Sequence, residues 1–196
     1  MRTAFNSATT PRRGTSRSLA VAVGIVLAFG VAAPAARAAC SLTLILVPCI
    51  QVSWPSADVA LGNVAPGTTP TSAEQIINVS ANTTWGIRVS ADQAGGRMKE
   101  WAPSGYIFPS PRVMTNPLQW ALTSVAGSAQ SPSWADLSTT AANVVSGQSH
   151  TGCVLGLLCG TRDIGVTYRV RPTFSDRRAA PNSYRLLVTY DAQTGF

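Results

Sequence analysis

Gln75-Ile-Ile-Asn-Val-Ser-Ala-Asn-Thr-Thr-Trp-Gly-Ile-Arg-Val-Ser90 sets the fold class. Ile77 and Val79 alternate with Asn78 and Ser80; after Ala81-Asn82-Thr83, Trp85, Ile87 and Val89 alternate with Gly86, Arg88 and Ser90. A period of two puts successive side chains on opposite faces of a strand, so each half reads as a strand with one buried and one wet face. The short polar link between the halves predicts a β-hairpin.

The same period recurs on either side. Val59 and Leu61 end at Gly62-Asn63, and Pro66-Gly67 marks a turn. Gln119–Ser124 is a strand with Trp120 and Leu122 on one face, and Ala142–Ser146 is a shorter one. Ile164, Val166, Tyr168 and Val170 share a side, as do Tyr184, Leu186, Val188 and Tyr190. No stretch carries convincing helical periodicity. Seven or eight short strands between Gly/Pro/Asn/Ser turns predict an all-β chain, an antiparallel β-sandwich of the Ig-like kind. Ala91–Pro117 breaks the rhythm. Its Pro103, Pro109, Pro111 and Pro117 argue against a central strand or a helix, so residues 91–117 read as a long surface loop carrying Trp101, Tyr106 and Phe108. Gly127–Thr140, with Trp134, reads as a second loop.

The N-terminus predicts export. Arg2, Arg12, Arg13 and Arg17 flank an uncharged apolar run, Leu19–Val31, and Ala36-Arg37-Ala38 supplies a small-x-small cleavage pattern. That is a secretory signal peptide over residues 1–38, removed after Ala38, with one β-sandwich domain over residues 39–196. The run is short for a membrane span, which takes about 20 residues, so no transmembrane segment is expected in the mature chain. Of 15 basic residues, five leave with the leader; ten then face eight acidic ones, a net charge of +2. The ten are scattered, with Arg177-Arg178 as the one doublet, so no nucleic-acid partner is expected. The expected location is extracellular, on the cell surface, or periplasmic.

Cys40, Cys49, Cys153 and Cys159 all lie in the mature part. An even count in an exported chain reads as two disulfides. Three pairings exist; the local pairs Cys40–Cys49 and Cys153–Cys159 are the simplest. Neither pair has CxxC spacing and His150 is the sole histidine, so no metal is expected. Both intervening stretches are strongly apolar, and Leu155 and Leu157 are candidates for contact with a ligand or another subunit. Trp101, Tyr106 and Trp134 are candidates for stacking on a sugar ring, which requires them to be exposed and coplanar.

No catalytic constellation stands out. The acids Asp58, Glu74, Asp92, Glu100, Asp136, Asp163, Asp176 and Asp191 are mostly isolated in turns, and no serine sits in a Gly-x-Ser-x-Gly elbow. No enzyme activity and no cofactor is expected.

Asp58-Val-Ala-Leu-Gly-Asn-Val-Ala-Pro-Gly67 resembles the entry of bacterial exported Ig-like and pilin-like domains. Asn82-Thr-Thr-Trp-Gly-Ile-Arg-Val-Ser90 and Leu118-Gln-Trp-Ala-Leu122 resemble the Trp-containing strands of WxL-type and related surface β-domains, and Ala180-Pro-Asn-Ser-Tyr-Arg-Leu-Leu-Val-Thr-Tyr190 resembles their last strand. The resemblance implies a surface or extracellular structural module. The expectation is therefore a non-enzymatic structural or adhesive protein acting by self-association or attachment to other cell-envelope proteins, with strand addition at a sheet edge as the mechanism and Leu42–Val47 as a candidate donor. The alternative is a glycan- or peptidoglycan-binding module using the loop aromatics.

Overall fold

A computed structural model describes residues 21–26, 48–55, 58–154, 158–176 and 183–195. In chain order the strands are β1 (Val21–Val26), β2 (Ile50–Ser53), β3 (Asp58–Val64), β4 (Gln75–Ala81), β5 (Trp85–Ala91), β6 (Lys99–Ala102), β7 (Gly105–Tyr106) and β8 (Gln119–Val125). They continue as β9 (Ser128–Ala129), β10 (Ala135–Asp136), β11 (Ala142–Gln148), β12 (Cys153–Val154), β13 (Leu158–Cys159), β14 (Arg162–Arg169) and β15 (Ser183–Thr194). One sheet runs β11-β5-β15-β1-β3, with β6 also on β15 and β7 on β6. The other runs β10-β8-β14-β4-β2, with β9 on β8. The two pack face to face, so the chain is the all-β sandwich that the alternation predicts. Among the described residues it has fifteen strands and not seven or eight, because β7, β9, β10, β12 and β13 are two-residue pieces too short to show alternation. One pairing departs from antiparallel: β1 runs parallel to β15.

The inward rows of both sheets fill the core. Ile77, Val79 and Ala81 come from one sheet, and Trp85, Ile87 and Val89 from the other; all are 0–1% exposed. Each large side chain so buried contributes about 1.5–3 kcal/mol by removal of apolar surface from water. Here the predicted hairpin is corrected. Residues 75–81 and 85–91 are strands, but β4 pairs with β14 and β2, whereas β5 pairs with β11 and β15. The link crosses from sheet to sheet, so the two apolar rows meet through the core instead of lying side by side. Asn82 holds the corner: its Oδ1 accepts from Cys49 N at 2.7 Å, and its own N–H donates to Cys49 O at 3.2 Å.

The stretch 91–117 is also more structured than its prolines suggest. Lys99–Ala102 falls in a proline-free gap and pairs with β15 through Ser183, Tyr184 and Arg185. Met98, Met114 and Leu118 are fully buried beneath it. The stretch is bolted to the turn 172–176 by Asp176, which is 2% exposed. Its Oδ1 accepts from Thr115 N and Oγ1, both at 2.8 Å, and its Oδ2 from Thr173 N at 2.6 Å and Thr173 Oγ1 at 3.0 Å. Asp176→Ala strands two amide donors in a buried place. It should cost about 2–3 kcal/mol in denaturant unfolding, with Asp176→Asn losing less. A loss under 0.5 kcal/mol, the scale of ordinary surface changes, would show that the bolt carries no stability.

Candidate functional site

Six residues of the expected leader occupy an interior position of a sheet. β1 pairs with β15 in the register Val23↔Tyr184, Gly24↔Arg185, Ile25↔Leu186 and Val26↔Leu187. Its other edge pairs antiparallel with β3, from Val21↔Val64 to Val26↔Asp58, with a register shift between Ala22 and Gly24. Neighbouring strands lie about 4.8 Å apart, so β15 and β3 flank a slot one strand wide, about 9.6 Å between their axes. The inward neighbours of the slot are Tyr184 and Leu186 on β15 and Val59 and Leu61 on β3, all at most 5% exposed. The slot has an apolar floor and two hydrogen-bonding walls. That geometry holds an extended chain by its backbone, and specificity comes from alternate side chains.

The candidate aromatics fall into two groups on different sheets. Trp101 on β6 meets Tyr106 on β7 edge-on, with ring centroids 4.8 Å apart and planes at 76°. The Arg185 guanidinium lies 5.4 Å from the Trp101 ring centroid. Tyr106 Oη donates to Asp92 Oδ2 at 2.8 Å, and Asp92 Oδ1 accepts from Leu187 N at 3.1 Å. Burial, and then the Asp92 carboxylate beside it, raise the Tyr106 pKa. Trp134 precedes β10 in the other sheet, and the Arg169 guanidinium covers its ring at 4.1 Å; Arg169 Nε also donates to Gln119 Oε1 at 2.8 Å. The coplanar platform that sugar stacking needs is therefore not built from Trp101, Tyr106 and Trp134: the first two are steeply inclined, and the third sits on the opposite sheet beneath an arginine.

Leu155, Leu157 and Cys40 lie outside the described residues. Cys153 stands directly opposite Cys159 in the β12–β13 ladder, and no described cysteine is a free thiol. The acidic side chains act as local anchors. Glu74 Oε1 accepts from Thr123 Oγ1 at 2.6 Å and Ser124 Oγ at 2.9 Å, Asp163 Oδ1 from Asn78 Nδ2 at 2.5 Å, and Asp136 Oδ1 from Gln119 Nε2 at 2.7 Å. His150 Nδ1 accepts from Gly152 N at 3.2 Å. Among the described residues no group of three or more His, Cys, Asp or Glu could hold a metal ion, and no helix is long and apolar enough to cross a membrane. No family model and no curated protein matches the chain.

The walls of the slot, Tyr184–Leu187 and Asp58–Val64, escape a reading built on side-chain chemistry, because what they offer is backbone. One signal pointed there: within Leu19–Val31, Val21, Val23 and Ile25 alternate as a strand does.

Proposed function

We propose that the chain is a non-enzymatic, exported surface protein, structural or adhesive, that acts by presenting sheet edges and loops for self-association or attachment to the cell envelope. The observation that carries this reading is β1: the apolar run Val21–Val26, read from the sequence as leader, lies in a sheet between β15 and β3. A strand inserted between two neighbours by backbone pairing is the geometry that strand addition uses. Cys153 and Cys159 form one disulfide in this reading, since directly opposed residues of an antiparallel ladder have Cβ atoms near the separation a disulfide needs. Cys40 and Cys49 then form the other. Peptide mapping without reductant checks both bridges; a Cys49–Cys159 fragment would refute them.

The test uses the protein as recovered from the exporting cell, with light scattering, negative-stain microscopy and sedimentation with envelopes. The expected result is assemblies larger than one chain, or co-sedimentation with the envelope. Leu155→Ser with Leu157→Ser should cut self-association at least tenfold while leaving the melting temperature within about 2 °C, a change of no more than about 1 kcal/mol. A monomer that stays in the medium and associates with nothing would overturn the reading.

A further inference from the structure

We propose that the corner carrying Phe108, Val113 and Phe174 anchors the protein to an anionic lipid surface, with Phe108 and Phe174 as two tips that enter the interface. The inference rests on the attachment reading above and names the surface that is met. Among the described residues four large apolar side chains are exposed, and three of them belong here: Phe108 at 91%, Phe174 at 80% and Val113 at 43%. Backbone pairing gathers them. Glu100 O on β6 accepts from Ile107 N at 3.2 Å, and Glu100 N donates to Arg112 O at 2.9 Å, so residues 107 and 112 lie side by side on one edge of β6. Phe108-Pro109-Ser110-Pro111 is an excursion between them that carries Phe108 into solvent. The chain continues along the same edge, with Val113 opposite Lys99, to Thr115, about 10 Å beyond residue 112. There Thr115 Oγ1 meets Thr173 Oγ1 and Ser175 Oγ, both at 3.1 Å, which fixes the Phe174 turn beside it.

The surroundings select the occupant. Residues 97–117 and 170–176 carry Arg97, Lys99, Arg112 and Arg171 against Glu100 and Asp176. Both acids are buried, at 4% and 2%, whereas Arg97, Arg112 and Arg171 are exposed. The next acid, Asp92, is held by Tyr106 Oη, Gln93 Nε2 and Leu187 N. The partner is therefore apolar and negatively charged. An interface of anionic lipid is both, and each basic residue near it strengthens binding roughly fivefold. A second copy is not: the corner set against itself brings arginine onto arginine, and like charges so placed cost binding. The two rings also stand out singly, and a fluid interface closes around each where a protein would need a matching cavity. The backbone suits withdrawal from water. Pro109 and Pro111 have no N–H to desolvate. The Phe174 turn spends its donors internally: Thr173 N, Thr173 Oγ1 and Thr115 N donate to the Asp176 carboxylate, and Asp176 N to Thr173 O. Polar groups already bonded cost little to bring out of water.

The experiment sediments the protein, as recovered from the exporting cell, with vesicles of phosphatidylcholine and phosphatidylglycerol in equal parts or of phosphatidylcholine alone. The anionic vesicles should bind at least tenfold more tightly, and added salt should erase the difference. Phe108→Ser with Phe174→Ser should cut binding to the anionic vesicles at least tenfold, with the melting temperature held within about 2 °C because both rings are exposed. Arg171→Glu should cut it about tenfold. Binding that the two phenylalanine changes leave unmoved would overturn the tips. Equal binding to both kinds of vesicle would overturn the anionic surface. Binding to neither, with envelope association that protease treatment of the envelopes abolishes, would make the partner a protein and overturn the choice of lipid; in that case this inference falls alone and the attachment reading stands. Vesicle binding as stated, by a protein that neither assembles nor sediments with envelopes, leaves the tips standing and overturns the surface role.

Discussion

Gly96→Ala should destabilise the fold by about 3 kcal/mol or more, whereas the same change one residue earlier should cost about 1 kcal/mol. Both glycines sit in the turn after β5 with left-handed backbone, φ +66° at Gly95 and +59° at Gly96, and both lose about 1 kcal/mol on acquiring a side chain for that reason alone. Their surroundings differ. A Cβ on Gly95 meets only the far end of Arg97, at 3.9 Å, but one on Gly96 lands 2.6 Å from the carbonyl carbon of Leu137 and closer still to its oxygen. Backbone cannot swing aside as a side chain does, so the clash adds the cost of overpacking, about 1–3 kcal/mol. The clash also spreads. Leu118 N donates to Gly96 O and Leu137 N to Leu118 O, both at 2.9 Å, so the glycine, β8 and the start of the 137–141 link move together. Met98, Met114, Leu118 and Leu137 pack there at 0–2% exposure. Denaturant unfolding of the two variants side by side is the check. Equal losses would show that the close approach is not what demands glycine.

The architecture was legible wherever a strand has one wet face. Ile77/Val79, Trp85/Ile87/Val89 and Tyr184/Leu186/Val188 alternate, and each row points into the core. Pairing was less legible than strand identity, because alternation names the buried face and not the neighbour. β4 and β5 look like a hairpin by link length alone, yet the bonds of Asn82 to Cys49 turn the chain across the sandwich. β6 was hidden by the prolines around it. β1 was legible as an apolar run, and export chemistry accounts for such a run as readily as a strand does. Of the candidate aromatics, Trp101 and Tyr106 meet in the fold, edge-on and not coplanar, and the residues they touch were out of reach. Asp92 binds Leu187 across 95 residues of chain, and Arg169 reaches Gln119 across 50; no local pattern encodes contacts at that separation.

Above pH 10 the fold should come apart cooperatively, and Tyr168→Phe should move that transition to higher pH. The chain has four tyrosines, and the pKa of each is raised in the fold. Burial is the first cause in every case. Tyr168 is fully buried on β14, and its hydroxyl meets that of Tyr190 on β15 across the sandwich. Trp54 stacks on Tyr190 at 5.8 Å and 18°, closing the pair from the side. Tyr184 is held further up by the carboxylates of Glu100 and Asp176. A raised pKa means that the folded chain keeps a proton the unfolded chain gives up. The stabilisation is therefore whole below the unfolded value, about 10, and drains as pH rises past it. The loss is about 1.4 kcal/mol per pH unit for each tyrosine held neutral. The Tyr168–Tyr190 pair alone removes about 2.7 kcal/mol per unit, against a total stability of about 5–15 kcal/mol for a domain. Tyrosinate absorbance should therefore stay low past pH 10 and then rise together with loss of β-sheet circular dichroism, in one step. Tyr168→Phe removes one of the pair's two equal contributions, so the slope of stability with pH should fall by about half of the pair's share. Tyrosinate forming smoothly near pH 10 with the sheet signal intact would show that solvent reaches the pair. It would also mean that the hydroxyl contact between the sheets does not hold them shut.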